Sequence, residues 1–187
     1  ARADGKYRVR ATGPDGARPE FDAPYTFGVA PLQQMLVALP GGKLQAFTTA
    51  WDTEKRRFFQ LHSGAELAGD DSLRWDSRYQ RWNAMCADCH STGVKRGYDA
   101  ATDTYQTTWA EIDVGCQGCH GPGSNHVAWA REGAAASSAT PYGNGLLINL
   151  ATADARQEVE TCAPCHSRRA QIRADIPYGR PLLDGFL

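Results

Sequence analysis

The chain has 187 residues, with 20 Lys and Arg against 21 Asp and Glu and a formal net charge of −1 at pH 7. This near-neutral balance provides no basic field, which argues against a nucleic-acid partner. No apolar run approaches the length needed to cross a bilayer, so we expect no transmembrane segment in this chain. The 19 Gly and 10 Pro predict a fold rich in loops, with little regular secondary structure.

Residues 1–62 contain no cysteine and predict an antiparallel β-hairpin unit. Residues 6–10 and 25–29 have the composition and alternation of strands. Turn signals at 40–43 and at 52–56 separate further alternating runs, which predicts two hairpins. Because a hairpin set of this size is marginally stable alone, we expect it to act as a platform or lid for the remainder of the chain.

Residues 63–187 carry the helical signals. Asp76 or Ser77 is placed to cap a helix that runs through Trp82 to residue 85. The other helical signals are a capping-box spacing at Thr108 and Glu111, a helix over 125–132 capped by Ser124 and ended by Gly133, and a helix over 153–173. A linker of small residues, 133–139, precedes the last of these helices.

This second region carries three copies of one motif, Cys-x-x-Cys-His, and the copies contain all six cysteines of the chain. The two thiols of such a motif are close enough to add across the two vinyl groups of one porphyrin, and the following histidine lies under the iron as its axial ligand. The pattern therefore predicts three covalently bound haem c groups. The attachment residues are Cys86, Cys89, His90, Cys116, Cys119, His120, Cys162, Cys165 and His166.

Zinc binding and disulfide bonding are the two other common uses of Cys-x-x-Cys pairs. A tetrahedral zinc site is closed by two such pairs, so three pairs would leave one unmatched, and zinc does not require a histidine after each pair. Disulfides account for an even number of cysteines but not for the histidines. Haem attachment explains both observations, and we therefore favour it.

The number of histidines limits the axial ligands. His90, His120 and His166 are the predicted proximal ligands, and the chain has two other histidines. His126 follows a Gly-Pro-Gly turn that can aim it at a neighbouring haem; the alternative is a solvent-exposed histidine at a helix N-terminus. His62, at the end of a strand, is either a distal ligand or a surface residue. Three six-coordinate irons would thus lack one histidine ligand.

Two methionines and three arginines are further candidates for contact with haem. Met35 lies on an apolar strand face and is predicted to belong to the core. Met85 directly precedes the first motif, from where it would not reach across its own haem. Arg168, Arg169 and Arg173 follow the third motif; they either pair with haem propionates or form a solvated helix face.

Three segments, residues 25–34, 78–86 and 115–127, resemble bacterial multihaem cytochromes c. The resemblance is to the group that includes hydroxylamine oxidoreductase, pentahaem nitrite reductase and octahaem tetrathionate reductase, and it extends from about residue 25 to 187. It implies a multihaem cytochrome c; with the strand, turn and helix signals above, the predicted fold is an N-terminal antiparallel β-hairpin unit followed by short α-helices packed on three haems. In that group the histidine corresponding to His126 typically serves as a distal ligand, and further haem motifs usually flank the region seen here.

These observations predict the location and function. Bacterial c-type haems are attached outside the cytoplasm, so we expect a periplasmic or otherwise extracytoplasmic protein. The chain begins with Ala and lacks an export signal, which predicts a processed or excised part of a longer multihaem protein. The predicted function is electron transfer through mostly bis-His haems. The alternative is a catalytic multihaem oxidoreductase that acts on a small nitrogen or sulfur oxyanion at an iron with an open distal position.

The predicted partners follow from the same two functions. An electron carrier exchanges electrons with other redox proteins or with further haem domains of the same protein. The missing axial ligand would come from another chain or from a segment beyond this sequence.

Overall fold

The structure is a computed structural model that describes residues 2–3, 6–13, 15–62, 67, 70–133, 144–173 and 176–187. The chain packs as two compact units: unit 1 contains residues 1–87 and 96–108, and unit 2 contains residues 88–95 and 109–187. The predicted domain boundary after residue 62 adjoins residues outside the described set and stays a prediction. Nearly all of the predicted linker over 133–139 also lies outside the described residues.

Unit 1 contains the antiparallel sheets that the hairpin signals predict. A three-stranded sheet has the order β1-β2-β3, and a four-stranded sheet has the order β4-β5-β6-β7. The strands are β1 (Arg2–Ala3), β2 (Lys6–Arg10), β3 (Glu20–Ala23), β4 (Tyr25–Phe27), β5 (Leu32–Leu39), β6 (Lys43–Asp52) and β7 (Arg57–Gln60), with β8 (Tyr98–Asp99) paired to β9 (Thr104–Tyr105). The predicted turns lie at 40–42 and 53–56 and close the β5–β6 and β6–β7 hairpins.

The centre of the four-stranded sheet is buried on both faces. On one face Val37 belongs to an apolar cluster with Val9, Ala23 and Trp75, and Met35 packs against that cluster as predicted. Further buried side chains of β5 and β6 are Leu36, Ala46 and Ala50. The ring of Trp75 makes edge contacts with Phe21 and Phe47, at centroid distances of 5.1 and 5.6 Å.

The chain enters the first haem motif through three short turns of helix rather than through one capped helix. A 3-10 turn (Arg78–Gln80) precedes α1 (Trp82–Met85), and α2 (Ala87–His90) follows after a break at Cys86. Ser77 lies at the N-cap of the 3-10 turn, but the predicted side-chain cap is wrong, because both side chains bind residues that precede the turn. Asp76 forms an ion pair with Arg74 at 2.9 Å, and the Ser77 hydroxyl donates to the Ser72 carbonyl.

The helices α3 (Gln117–His120) and α4 (Ser124–Glu132) follow in unit 2. The predicted helix start at Thr108 is wrong, because residues 108–111 are not helical and Glu111 forms a β-bridge with Thr92. The predicted helix after the second motif is confirmed, although it begins one residue earlier, with Gly123 rather than Ser124 at the N-cap.

Helix α5 (Ala155–His166) carries the third motif in its last turns. Asp154 caps it, accepting a hydrogen bond from the backbone of the first turn. The predicted end at Arg173 is wrong. The chain turns extended after His166, and residues 170–172 form backbone hydrogen bonds with residues 185–187 instead. Among the described residues, no helix combines the length and apolar character needed to cross a bilayer.

The sheets and the few short helices confirm the coarse part of the predicted fold.

One buried side chain connects the central hairpin of unit 1 to the helix before the first motif. Asn83, 1% exposed, accepts a hydrogen bond from the backbone N–H of Leu44 at 2.7 Å and donates to the Gly42 carbonyl and the Thr107 hydroxyl. This amide therefore satisfies groups on two other segments, the β5–β6 hairpin and Thr107, and fixes α1 against β6.

We predict that Asn83→Ala lowers the free energy of unfolding by about 3 kcal/mol, because it leaves several buried polar groups without partners. The measurement is urea denaturation of the holoprotein followed by far-UV circular dichroism. Gln106→Ala is the control, since Gln106 is an exposed amide of the same unit, and we expect a change of about 0.5 kcal/mol or less. Equal effects of the two substitutions would contradict this role of Asn83.

Candidate haem-binding site

A cavity of about 730 Å³ within unit 2 is lined by residues of all three haem motifs. Its volume lies in the range of roughly 300–1,000 Å³ that is usual for small-molecule and cofactor sites. The motif residues in its wall are Asp88, Cys89, Gly118, Cys119, Cys162, Pro164, Cys165 and His166. The first and second motifs are supplied to it by single-turn helices, and the third by the end of α5.

The apolar side chains of unit 2 do not form a core of their own. Among the described residues of this unit, the buried hydrophobic side chains are Ile148 and Phe186. Large apolar side chains that would normally be buried are instead exposed: Val114, Val159 and Ile172. Bound porphyrins would cover such surface and supply the missing apolar interior, so this composition fits haem.

The cysteines favour thioether formation over the alternative uses of Cys-x-x-Cys. None of the six is in a disulfide, and among the described residues no three His, Cys, Asp or Glu side chains converge on one metal position. Burial, with a contribution from the nearby Cys89, raises the pKa of Cys165 to about 11. Burial disfavours a charged sulfur, and a thioether sulfur is neutral, so this environment is compatible with a sulfur bonded to haem.

The first and third motifs meet inside unit 2. The Cys89 sulfur lies 3.8 Å from the Cys165 carbonyl oxygen, and the Cys165 sulfur lies 3.9 Å from the Asp88 carbonyl oxygen. The Cys89 sulfur is also 4.0 Å from the Pro164 carbonyl oxygen. Sequence spacing gave no indication of which motifs are neighbours.

The three motif histidines share one local position, since each is the last residue of its helix: His90 of α2, His120 of α3 and His166 of α5. Nδ1 of His120 lies 2.8 Å from the Ile148 carbonyl oxygen. A carbonyl oxygen can only accept, so Nδ1 carries the proton and Nε2 is left as the free nitrogen that could bind iron. This tautomer is the one that the predicted proximal role requires.

His126 is oriented in the same manner. It lies in the first turn of α4, where Nδ1 donates to the Asn144 carbonyl at 2.7 Å and the ring stacks on Trp129 at 5.4 Å between centroids. The next residue, Gly145, has φ +77°, and a side-chain Cβ there would overlap the backbone of Asn125 and His126. Gly145 therefore permits the close approach that brings the carbonyl to the imidazole.

The remaining candidates occupy different environments. His62 is partly buried in the turn after β7, in unit 1, and its role as a ligand stays a prediction. Met85 is exposed beside the first motif. The interpretation of the arginines as one helix face is wrong, because α5 ends before them. Arg168 and Arg173 are exposed, whereas Arg169 is largely buried.

Residues 45–121 match the family model of cytochrome c554 and c-prime. This segment is similar to c-type cytochromes. It includes the first and second motifs and amounts to less than half of the chain. The match supports the coarser prediction of a c-type cytochrome with several haems, while the relationship to the hydroxylamine oxidoreductase group stays a prediction. No curated protein matches the chain.

Two solved structures of larger cytochromes are also similar to the chain. The outer cell wall cytochrome OcwA is 23% identical over 80% of this chain, with a TM-score of 0.46, and the chain covers 26% of it. An undecaheme cytochrome from the S-layer of Carboxydothermus ferrireducens is 20% identical over 77% of this chain, with a TM-score of 0.47 and 18% of that chain covered. The chain thus spans about a quarter or less of either cytochrome.

If His126 is an iron ligand, as predicted, we expect Gly145→Ala to weaken its binding to iron by about 10- to 100-fold, because the added methyl group displaces the carbonyl that orients the imidazole. The expected result is a new high-spin signal in the electron paramagnetic resonance spectrum of the oxidised protein. Gly133→Ala is the matched control: its φ is +82°, but no atom lies within 4 Å of the added Cβ. A high-spin signal of equal size in both variants would indicate backbone strain alone.

Proposed function

We propose that the chain is an extracytoplasmic electron-transfer protein that binds three haem c groups through its three Cys-x-x-Cys-His motifs. The observation that carries this proposal is the cavity of unit 2, whose wall includes cysteines of all three motifs. Groups attached to neighbouring cysteines would be near enough to exchange electrons directly. Each exchange would oxidise one partner by one electron and reduce the other, and it requires no bond to form or break.

The protein residues have separate tasks in this function. His90, His120 and His166 bind iron on the proximal side, and His126 and His62 are the proposed distal ligands of two irons. Haem supplies the one-electron couple between ferric and ferrous iron, and bis-His ligation gives it a low potential compared with His/Met ligation. The carbonyl acceptors at Nδ1 keep the imidazoles in position, and the apolar wall limits access of water.

The proposed partners are other redox proteins or further haem domains of the same protein. Two considerations support this. The chain matches only a part of much longer multihaem cytochromes. The sequence also contains two histidines outside the motifs, one fewer than three distal positions require. The third distal ligand would then be a methionine, a lysine or a residue of another chain; Lys95 is a cation in the cavity wall.

The same shortage of ligands favours a second candidate, catalysis at an iron with an open distal position. A small nitrogen or sulfur oxyanion would bind there and exchange electrons with the iron. Electron paramagnetic resonance of the oxidised protein, with haem counted by the pyridine haemochrome assay, distinguishes the two. Three low-spin haems support electron transfer, whereas a high-spin haem that responds to nitrite, hydroxylamine or cyanide supports catalysis. A sample without covalent haem would contradict both functions.

We predict that His126→Ala converts one low-spin iron to the high-spin state, because it removes a distal ligand without affecting covalent attachment. The haem count should remain at three. Asn125→Ala is the control, since Asn125 is an exposed neighbour in the same helical turn and its side chain is not expected to reach iron. If the low-spin signal of His126→Ala is unchanged, His126 is not a ligand.

A further inference from the structure

Arg169 connects the first and third haem motifs within unit 2. Its Nη1 lies 3.4 Å from the Asp88 carboxylate, and its Nη2 lies 3.7 Å from the Cys89 sulfur. Its Nε donates to the Pro164 carbonyl at 2.7 Å. One guanidinium therefore contacts one variable position of each motif and one thiol of the first motif, although the two motifs are distant in sequence.

The position of Arg169 is held from several sides. The Pro164 carbonyl belongs to the last turn of α5, where backbone acceptors lack partners within the helix and a positive charge is favoured. The guanidinium carbon lies 4.6 Å from the centre of the Phe186 ring, one of the buried hydrophobic side chains of unit 2. The guanidinium is thus fixed by a carbonyl, a carboxylate and an aromatic ring.

Water has little access to the Arg169 guanidinium, so its charge acts strongly on neighbouring groups. The side chains of Arg169 and Asp88 are 12% and 16% exposed, so solvent screens them less than it screens a surface pair. A positive charge beside a haem disfavours ferric iron relative to ferrous iron and raises the reduction potential. A negative charge has the opposite effect. The local charge and the hydrogen bonds to the attaching sulfur are both means by which a protein adjusts a potential.

We propose that Arg169 raises the reduction potentials of the two haems attached at the first and third motifs, and that Asp88 opposes it. One guanidinium acts on both haems, so its removal should shift both potentials in the same direction. This inference rests on the proposed function, since it requires that haem c be bound at these motifs. Arg169 is a positioning residue for the two motifs as well as a source of charge.

The test is a spectroelectrochemical titration of the complete holoprotein, which resolves three midpoint potentials. Arg169→Gln is expected to lower two of the three potentials, and Asp88→Asn is expected to raise the same two. Arg169→Lys retains the positive charge but not the planar, bidentate geometry. It should therefore shift these two potentials less than Arg169→Gln does. Opposite signs for the two charge removals are the decisive result, because a loss of structure would not depend on the sign of the charge removed.

The control is Arg131→Gln, which removes an exposed arginine from the last turn of α4 in the same unit and should leave all three potentials nearly unchanged. The proposal is overturned if Arg169→Gln and Asp88→Asn shift the potentials in the same direction, shift a single haem, or have no effect. If Arg169→Gln fails to retain three haems, the direction of the shift in Asp88→Asn decides. A wild-type protein without haem would overturn the proposed function, whereas three haems with unshifted variants overturn this inference alone.

Discussion

Burial of apolar surface is the constraint on which unit 2 depends. Unit 1 satisfies it with its own side chains, since strands of two sheets enclose Val37 and Trp75. Unit 2 has a cavity lined by residues of all three motifs, and three of its helices end at a motif histidine, of which His166 lines the cavity. A polypeptide of this kind gains stability when a large apolar cofactor occupies its centre, so cofactor binding and folding are thermodynamically linked.

The cofactor hypothesis was accessible from sequence because covalent haem attachment requires neighbouring residues. Five consecutive positions contain the whole motif, so no knowledge of the fold is needed. The hairpins were accessible for a similar reason: their turns are short and rich in glycine or in residues that favour turns. The helix after the Gly-Pro-Gly turn was also predicted, because its limits at Ser124 and Gly133 are local signals.

The incorrect helix limits arise because the predicted capping groups have other partners, some local and some distant in the chain. Ser77 has capping chemistry, but its hydroxyl bonds to the Ser72 carbonyl. Glu111 matches a capping box, yet its backbone pairs with Thr92. The carbonyl acceptors of His120 and His126 had no sequence signal at all, since every residue has a carbonyl group. The contact of Arg169 with Asp88 could not be predicted either, because it joins segments that are far apart in the chain.

The use of backbone carbonyls to orient His120 and His126 affects how the sequence can vary. A side-chain acceptor is lost by a single substitution, but a backbone acceptor remains whatever side chain the residue carries. The Asn144 carbonyl is therefore kept by any residue at that position, whereas the turn that presents it depends on side chains. Two adjacent residues contribute to that turn in different ways: Gly145 through the space around its Cα, and Asn144 through the hydrogen bond that its Oδ1 accepts from the backbone N–H of Leu146 at 3.2 Å.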